Sequence, residues 1–288
     1  MKTRIKLAAL ALLLSTLNSQ LSTGFASTTI DPSNRYAYGA NIGWLNCRGD
    51  TNNGAVIGEC VCSGYIYAAN VGWVNLGNGA PTNGIYYQNF SASDFGVNQD
   101  GLGNLRGYAW GANIGWVNFE ATGAPKVDLY TGNLSGYAWS ANCGWISLSN
   151  AVAFVQTDTL QQGALAPDGL PVAWLMQNFG TTNVDANADP DHDGMSNLQE
   201  YLAGTDPNNA ASNLRITSFT RGGTYNTLMW SSQPTRFYRV QRTDALNPGS
   251  WEELSLGFEN LPGWNNVGFD STGPRYFYRV RAVQPLMP

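Results

Sequence analysis

The chain contains the stretch Tyr108-Ala-Trp-Gly-Ala-Asn-Ile-Gly-Trp-Val-Asn-Phe119 in four closely related copies. The other three copies start at Tyr36, Tyr65 and Tyr137. Each copy alternates in side-chain character on both sides of an Ala-Asn-x-Gly segment, a pattern typical of two β-strands joined by a tight turn. Four such matches predict one all-β repeat domain over residues 27–156, arranged as a β-meander.

The alternation gives each copy an aromatic face and an aliphatic face. In the third copy, Tyr108, Trp110 and Trp116 lie on one face, and Val117 and Phe119 lie on the other. Because cores hold most large apolar residues, the pattern favours burial of both faces, with the rings of one copy packed on the next. The alternative is an exposed aromatic surface that binds a partner, with Trp110 and Trp139 among its ligand-binding residues.

Residues 1–26 have the features of a secretory signal peptide. Lys2, Arg4 and Lys6 precede an apolar run over residues 7–14, and small residues end the segment at Ala26. The apolar run is too short to span a bilayer, and no later run is longer. We therefore expect a protein that is secreted or located at the cell surface, without a transmembrane segment.

The charge distribution argues against nucleic acid as a partner. Residues 27–212 contain 15 acidic residues and four basic ones, whereas residues 213–288 contain eight arginines and five acidic residues. An acidic body of this kind repels a phosphate backbone.

The four cysteines all lie in the repeat region, at Cys47, Cys60, Cys62 and Cys143. In an exported chain, four cysteines predict two disulfides, for which three connectivities are possible. We favour a bond from Cys47 to Cys60 or Cys62, with Cys143 taking the other. Zinc is the weaker alternative, because the chain has one histidine, His192.

The longest gap between copies, residues 77–107, contains three aromatic residues within residues 82–90. Tyr86, Tyr87 and Phe90 are candidate ligand-binding residues if this segment is a loop over the sheet, since binding residues gather on such loops. A packed extra hairpin is the alternative.

A calcium-loop motif follows the repeats. Residues 189–200 place oxygen-bearing side chains at positions one, three, five, nine and twelve of a twelve-residue loop, with Gly194 at the sharp turn. Such clustered carboxylates repel one another unless a cation binds them. Ser196 and Gln199 are typical of a capping pair that begins a helix, and Gly204 of its end. The predicted calcium ligands are Asp189, Asp191, Asp193, the carbonyl of Met195, Asn197 and Glu200.

This segment resembles a calcium-binding module of secreted bacterial proteins that is similar to dockerin and thrombospondin type 3 repeats. The resemblance extends from Leu170-Pro171 through the loop to Asp206-Pro207, about 40 residues. In the fuller form of this module an acidic loop precedes the first helix, and here only Asp168-Gly169 matches it. Alignment on that pair puts Ala164, Ala166 and Leu175 at ligand positions, so we expect the first loop not to bind calcium.

The remaining segments complete the predicted domain plan. Residues 157–167 have the composition of a linker, residues 168–212 form the calcium module, and residues 213–288 alternate like strands. The strand order resembles an incomplete fibronectin type III-like sandwich, with Tyr276-Phe-Tyr-Arg-Val280 near its penultimate strand. Arg239, Arg279 and Arg281 there form either a solvated face or a site for an anionic partner.

The sequence predicts a mainly β, non-enzymatic modular protein. One histidine, located inside the calcium loop, is too few for histidine-based triads, and no phosphate-binding glycine pattern occurs. We expect a secreted or cell-surface calcium-binding protein with a binding, adhesion or structural role, whose partner is a polysaccharide or a cell-surface protein. The alternative is a carbohydrate-binding accessory protein or the remnant of a secreted carbohydrate-active enzyme.

Overall fold

The computed structural model describes residues 28–49, 52–223, 225–246, 251–254, 262–270 and 276–286. The predicted signal peptide, residues 1–26, lies outside the described residues. The described chain is mainly β, as predicted. Neither of its two helices has the length or the apolar character that a membrane-crossing helix needs.

Eight strands from the four copies form a closed, barrel-like antiparallel sheet. Each copy supplies one hairpin. The hairpins are β1 (Ile30–Gly39) with β2 (Gly43–Asn46), β3 (Ser63–Ala68) with β4 (Gly72–Asn78), β6 (Leu105–Gly111) with β7 (Gly115–Asn118), and β10 (Tyr137–Ser140) with β11 (Gly144–Ser147). Neighbouring hairpins pair in sequence order, and β11 then pairs with β1, which closes the sheet. A full closure of this kind leaves no free edge among the eight strands.

The four hairpins pair with one another in the same register. At each junction a two-residue bridge joins equivalent positions, for example Asn75 with Trp110 and Asn118 with Trp139. An asparagine in every hairpin turn donates a side-chain hydrogen bond of 3.1 Å to a carbonyl in the preceding turn. We call these four bonds the asparagine ring: Asn41 to Cys143, Asn70 to Ile42, Asn113 to Val71, and Asn142 to Ile114.

The aliphatic face lines the interior, and the aromatic face lies outside. Ala37, Ala109 and Ala138 are at most 1% exposed, and the turn residues Ile42 and Ile114 are at most 5% exposed. An interior enclosed by eight strands is only wide enough for modest side chains, so alanine and aliphatic residues fill it. The expectation that both faces would be buried is therefore wrong for the aromatic one, whose exposed tryptophans are 40–47% accessible.

The predicted disulfides are not formed, since all four cysteines are free. Cys143 lies in the turn of the fourth hairpin, whereas Cys47 follows β2, four residues beyond the hairpin turn. A strand advances about 3.3 Å per residue, which puts the two at opposite ends of the sheet, roughly 13 Å apart along a strand. Disulfides need Cα atoms within about 7 Å. Cys62 directly precedes β3 and lies at the same end of the hairpins as Cys47, so a bond from Cys143 to Cys60 or Cys62 would have to span the same separation. The structure thus corrects both predicted bonds, the one from Cys47 to Cys60 or Cys62 and the one from Cys143 to the other cysteine.

Four short strands extend the hairpins: β5 (Val97–Gln99), β8 (Lys126–Val127), β9 (Leu134–Ser135) and β12 (Val155–Thr157). A 3-10 turn covers Ala121–Gly123. The segment 157–167, expected as a linker, packs on the sheet instead. Gln161 exchanges backbone hydrogen bonds with Ile57 and Glu59, and Leu160 is buried in the core of the closed sheet.

The calcium-loop segment contains helices α1 (Val172–Phe179) and α2 (Asn197–Ala203). Six later strands form two three-stranded sheets. One contains β13 (Ile216–Gly222), β14 (Tyr225–Trp230) and β17 (Asn266–Asp270), and the other β15 (Phe237–Thr243), β16 (Glu252–Glu253) and β18 (Phe277–Val283). Their shared core includes Leu228, Trp230, Tyr238, Val240 and Phe269. The likeness to a fibronectin type III domain stays a prediction.

Candidate metal centre and aromatic face

The acidic loop brings three predicted ligands together. One carboxylate oxygen each from Asp189, Asp191 and Asp193 lies within 4.8 Å of the other two. Backbone N–H groups of the loop hold them: the Gly194 N–H donates to Asp189 Oδ2 at 3.0 Å, and the Met195 N–H donates to Asp193 Oδ1 at 2.8 Å. Gly194 has φ +93°, a conformation that side-chain-bearing residues rarely adopt.

Four buried oxygens of this loop accept no hydrogen bond from the described residues. They are Asp191 Oδ2, Asp193 Oδ2, Asn197 Oδ1 and Glu200 Oε2. Asn197 is held in place because its Nδ2 donates to the Asp185 carbonyl at 2.8 Å, which leaves Oδ1 free. A buried oxygen without a donor is costly, and four in one loop are the ligand chemistry that a hard cation takes. The residues present therefore fit a metal ion.

Helix α2 places Glu200 at this cluster. The predicted capping box is confirmed, because Ser196 accepts from the Gln199 N–H and the Gln199 side chain accepts from the Ser196 N–H. Glu200, one turn into the helix, is fully buried. Burial, followed by the charges of Asp191 and Asp193, raises its pKa to about 7. A bound cation would remove that repulsion and keep the carboxylate ionised.

The first loop has no comparable oxygen cluster among the described residues. Leu175, at the position that corresponds to Glu200, is fully buried in an apolar cluster with Ala166, Leu170 and Tyr201. Asp168 instead accepts a hydrogen bond from the Leu170 N–H at 3.3 Å. Two acids that flank the acidic loop, Asp185 and Asp206, likewise accept hydrogen bonds from their own turns.

Tyr201, the residue after Glu200, connects the calcium-loop segment to the closed-sheet region and to the later strands. The Tyr201 hydroxyl donates to the Glu59 carboxylate at 3.0 Å and accepts from Gln162 Nε2 at 3.0 Å. Arg236, which precedes β15, donates to the backbone carbonyls of Tyr201 and Leu202 at 2.6 and 2.9 Å. We call Glu59, Tyr201 and Arg236 the junction triad.

Sequence reasoning missed the junction triad. Glu59 and Tyr201 are 142 residues apart and belong to no common motif, so no spacing signal could have indicated the contact. Burial is the largest cause of the raised pKa of Glu59, opposed by the Tyr201 hydrogen bond and the Arg236 charge.

Outward-facing rings surround the closed sheet, and we call them the aromatic belt. Its members are Tyr36, Tyr38, Trp44, Tyr65, Tyr67, Trp73, Tyr108, Trp110, Trp116, Tyr137, Trp139 and Trp145. Within three hairpins the tryptophan of the second strand packs edge-on or tilted against a ring of the first, at centroid distances of 4.7–4.9 Å. Such pairs hold the rings still while leaving part of each exposed. Two predicted ligand-binding residues, Trp110 and Trp139, belong to this belt.

Of the three candidates in residues 77–107, Tyr86 and Tyr87 do not share that exposure. Tyr87 is only 3% exposed, and its hydroxyl accepts from the Gly79 N–H and donates to the Cys62 carbonyl. It is therefore a core residue, which corrects its assignment to a binding site. Tyr86 is half-buried beside helix α1, whereas nearby Phe90 is 91% exposed.

Two of the three candidate arginines of the last sheet, Arg239 and Arg279, make contacts within that sheet or beside it. Arg239 pairs with Glu253 at 3.1 Å. Arg279 donates to Gln241 at 2.8 Å and stacks over Trp251. These contacts favour a solvated strand face over an anion site.

Comparison with protein-family models, curated proteins and solved structures finds no match for the chain. The function therefore has to be argued from the metal loop, the junction triad and the aromatic belt.

Proposed function

We propose that this is a secreted or cell-surface calcium-binding modular protein with a binding role and no catalytic activity. The observation that carries the calcium assignment is the set of four buried oxygens without donors, which come from three carboxylates and one amide. Oxygen-only ligands of this kind suit calcium, which takes six to eight oxygens in a flexible geometry. Asp189 and the Met195 carbonyl would complete the set.

In this proposal the ion also holds the junction between the two β regions. Glu200 and Tyr201 are consecutive residues of α2, so any constraint on the Glu200 carboxylate limits the motion of Tyr201. Tyr201 in turn contacts Glu59 of the closed sheet and Arg236 of the later strands. Met195, in the loop itself, accepts through Sδ from the Leu214 N–H at 3.3 Å.

Calorimetric titration of residues 27–288 with calcium, followed by hydrogen exchange, tests the proposal. We expect one ion per chain and slower amide exchange over residues 185–205, at residues 57–61 and at residues 233–237. The hairpin turns at the far end of the closed sheet serve as the internal control and should not change. No heat of binding at millimolar calcium would overturn the calcium assignment, and protection limited to the loop would overturn the junction role.

The aromatic belt favours a binding role over a purely structural one. Monomeric proteins rarely expose many large rings together unless the rings contact a partner. The outward positions beside the rings are occupied by Asn46, Asn75, Asn118 and Ser147. Amides beside exposed rings are the chemistry that recognises a polysaccharide, whose sugar rings have apolar C–H faces and hydroxyl edges.

A further inference from the structure

One pocket in the aromatic belt differs from the rest of that surface. It lies between the third and fourth hairpins and has a volume of about 220 Å³. Its apolar walls are Tyr137, Trp139 and Trp145, and its polar lining includes Asn118 and Glu120. The Ala121–Gly123 turn closes one side so tightly that a Cβ on Gly123 would lie 2.0 Å from the Tyr137 carbonyl oxygen.

The amide at this pocket is unlike its equivalents in the other copies. Asn46 Oδ1 accepts from the Arg48 N–H at 3.1 Å, and Asn75 Oδ1 accepts from the Gly77 N–H at 2.8 Å. Asn118 Oδ1 is buried and accepts no hydrogen bond from the described residues. The chain after Asn118 instead leaves β7 and enters the 3-10 turn Ala121–Gly123.

We propose that this pocket binds one pyranose unit of a neutral polysaccharide. The inference rests on the binding role proposed above and adds the ligand class and the residues. A pyranose ring stacks its C–H face on Trp139 or Trp145, and one of its hydroxyl groups donates to Asn118 Oδ1. Further hydroxyls reach Glu120 and the Thr122 hydroxyl at the rim.

The size and chemistry of the pocket favour a sugar over other small ligands. Drug-sized ligands occupy pockets of roughly 300–1,000 Å³, so the volume suits a single ring. A quaternary ammonium group would contact the aromatic walls and Glu120, but it has no hydrogen to donate to Asn118 Oδ1. A neutral sugar supplies that donor, and neither lysine nor arginine is among the described residues that line the pocket to attract an anionic sugar.

Two variants and one matched control test this site in the full chain, residues 27–288. Trp139→Ala removes a wall, and Phe277→Ala removes an equally exposed ring of β18, outside the aromatic belt. Asn118→Leu removes the unpaired acceptor while keeping a similar shape. Because that oxygen is buried without a donor, Asn118→Leu should not lower the thermal stability of the free protein.

The measurement is calorimetric binding of cellohexaose, chitohexaose, mannohexaose and maltohexaose, with tetramethylammonium and a lysine-rich peptide as competing probes, each with calcium and with EDTA. We expect at least one hexasaccharide to bind, with affinity about tenfold or more weaker for Trp139→Ala and Asn118→Leu, the loss of roughly one hydrogen bond or ring contact. Phe277→Ala should keep wild-type affinity.

Three results would overturn the site: no hexasaccharide binds, Phe277→Ala weakens binding as much as Trp139→Ala, or only a cationic probe binds. Any of these can occur while calcium still binds, so failure of the sugar site is distinguishable from failure of the calcium proposal.

Discussion

Replacing Glu200 with Gln should change stability in opposite directions with and without calcium. Without the ion, the buried Glu200 carboxyl has a pKa of about 7, whereas its ordinary value is 4.5. The unfolded chain therefore ionises first as the pH rises, and the folded state loses stability through the window from 4.5 to 7. At 1.36 kcal/mol per pH unit, the loss at pH 7.5 is at most about 3 kcal/mol.

A Gln at position 200 removes that loss. It has no charge to repel Asp191 and Asp193, and its amide can donate to their unpaired oxygens. Without calcium, the variant should thus be as stable as the wild type or more stable at pH 7.5. With calcium the order reverses, because the variant lacks the last carboxylate ligand.

The gain in the wild type follows from mass action. At calcium ten times above the dissociation constant, binding adds about 1.4 kcal/mol to the free energy of unfolding. For a cooperative unit of this size, that raises the melting temperature by roughly 3–6 °C. Weak extracellular sites have dissociation constants near 10⁻⁴ to 10⁻³ M, so about 10 mM calcium suffices.

The assay is thermal unfolding at pH 7.5 with EDTA and with 10 mM calcium, about ten times a weak site's dissociation constant. Asp168→Asn is the matched control, because Asp168 occupies the first loop and its carboxylate accepts a hydrogen bond from the Leu170 N–H of its own turn. It should keep the wild-type calcium response. If Glu200→Gln gains as much from calcium as the wild type, or if it is markedly less stable in EDTA, the reasoning about this site is wrong.

Three further predictions concern the closed sheet and the junction. Asn70→Asp removes a donor from the asparagine ring and should lower the free energy of unfolding by about 1–3 kcal/mol in denaturant titrations. Asn150→Asp is the control and should leave the free energy of unfolding unchanged, because Asp keeps the Oδ1 that accepts a hydrogen bond there. Burial raises the pKa of Cys47 and Cys62 to about 12, so alkylation of these two thiols in the native protein should be slow at pH 8 and its rate should rise about tenfold per pH unit, whereas all four thiols should react fast in denaturant. Rapid alkylation of the native protein, or fewer than four reactive thiols in denaturant, would contradict this prediction. Burial raises the pKa of Glu59, so the contribution of this carboxyl to the free energy of unfolding is present below pH 4.5 and is lost as the pH rises. Glu59→Gln should therefore flatten the decline in melting temperature measured from pH 4 to pH 8, and an unchanged slope refutes the prediction.

The calcium loop shows how far local patterns reach. Its candidate ligands lie within twelve residues, and the capping box that begins α2 involves positions three residues apart. Such contacts form between near neighbours in the chain, so spacing and residue type were enough to predict them. The hairpins could be predicted for the same reason, because each pairs two strands across one short turn. The predicted domain boundaries, by contrast, stay predictions.

The aromatic belt shows where local patterns end. Alternation separated two faces correctly but could not say which one lies inside, because that depends on how the sheet closes. Closure through β11 and β1 makes an interior suited to alanine and aliphatic side chains, so the larger rings lie outside.

The sequence by itself determined the four hairpins, the metal loop and the helix that completes it, since each depends on contacts between residues close in the chain. Only the tertiary structure decided that the rings are exposed, that Tyr87 is buried, and that Tyr201 joins Glu59 to Arg236. These depend on enclosed volume and on contacts between residues far apart in the chain, and side-chain periodicity contains no information about either.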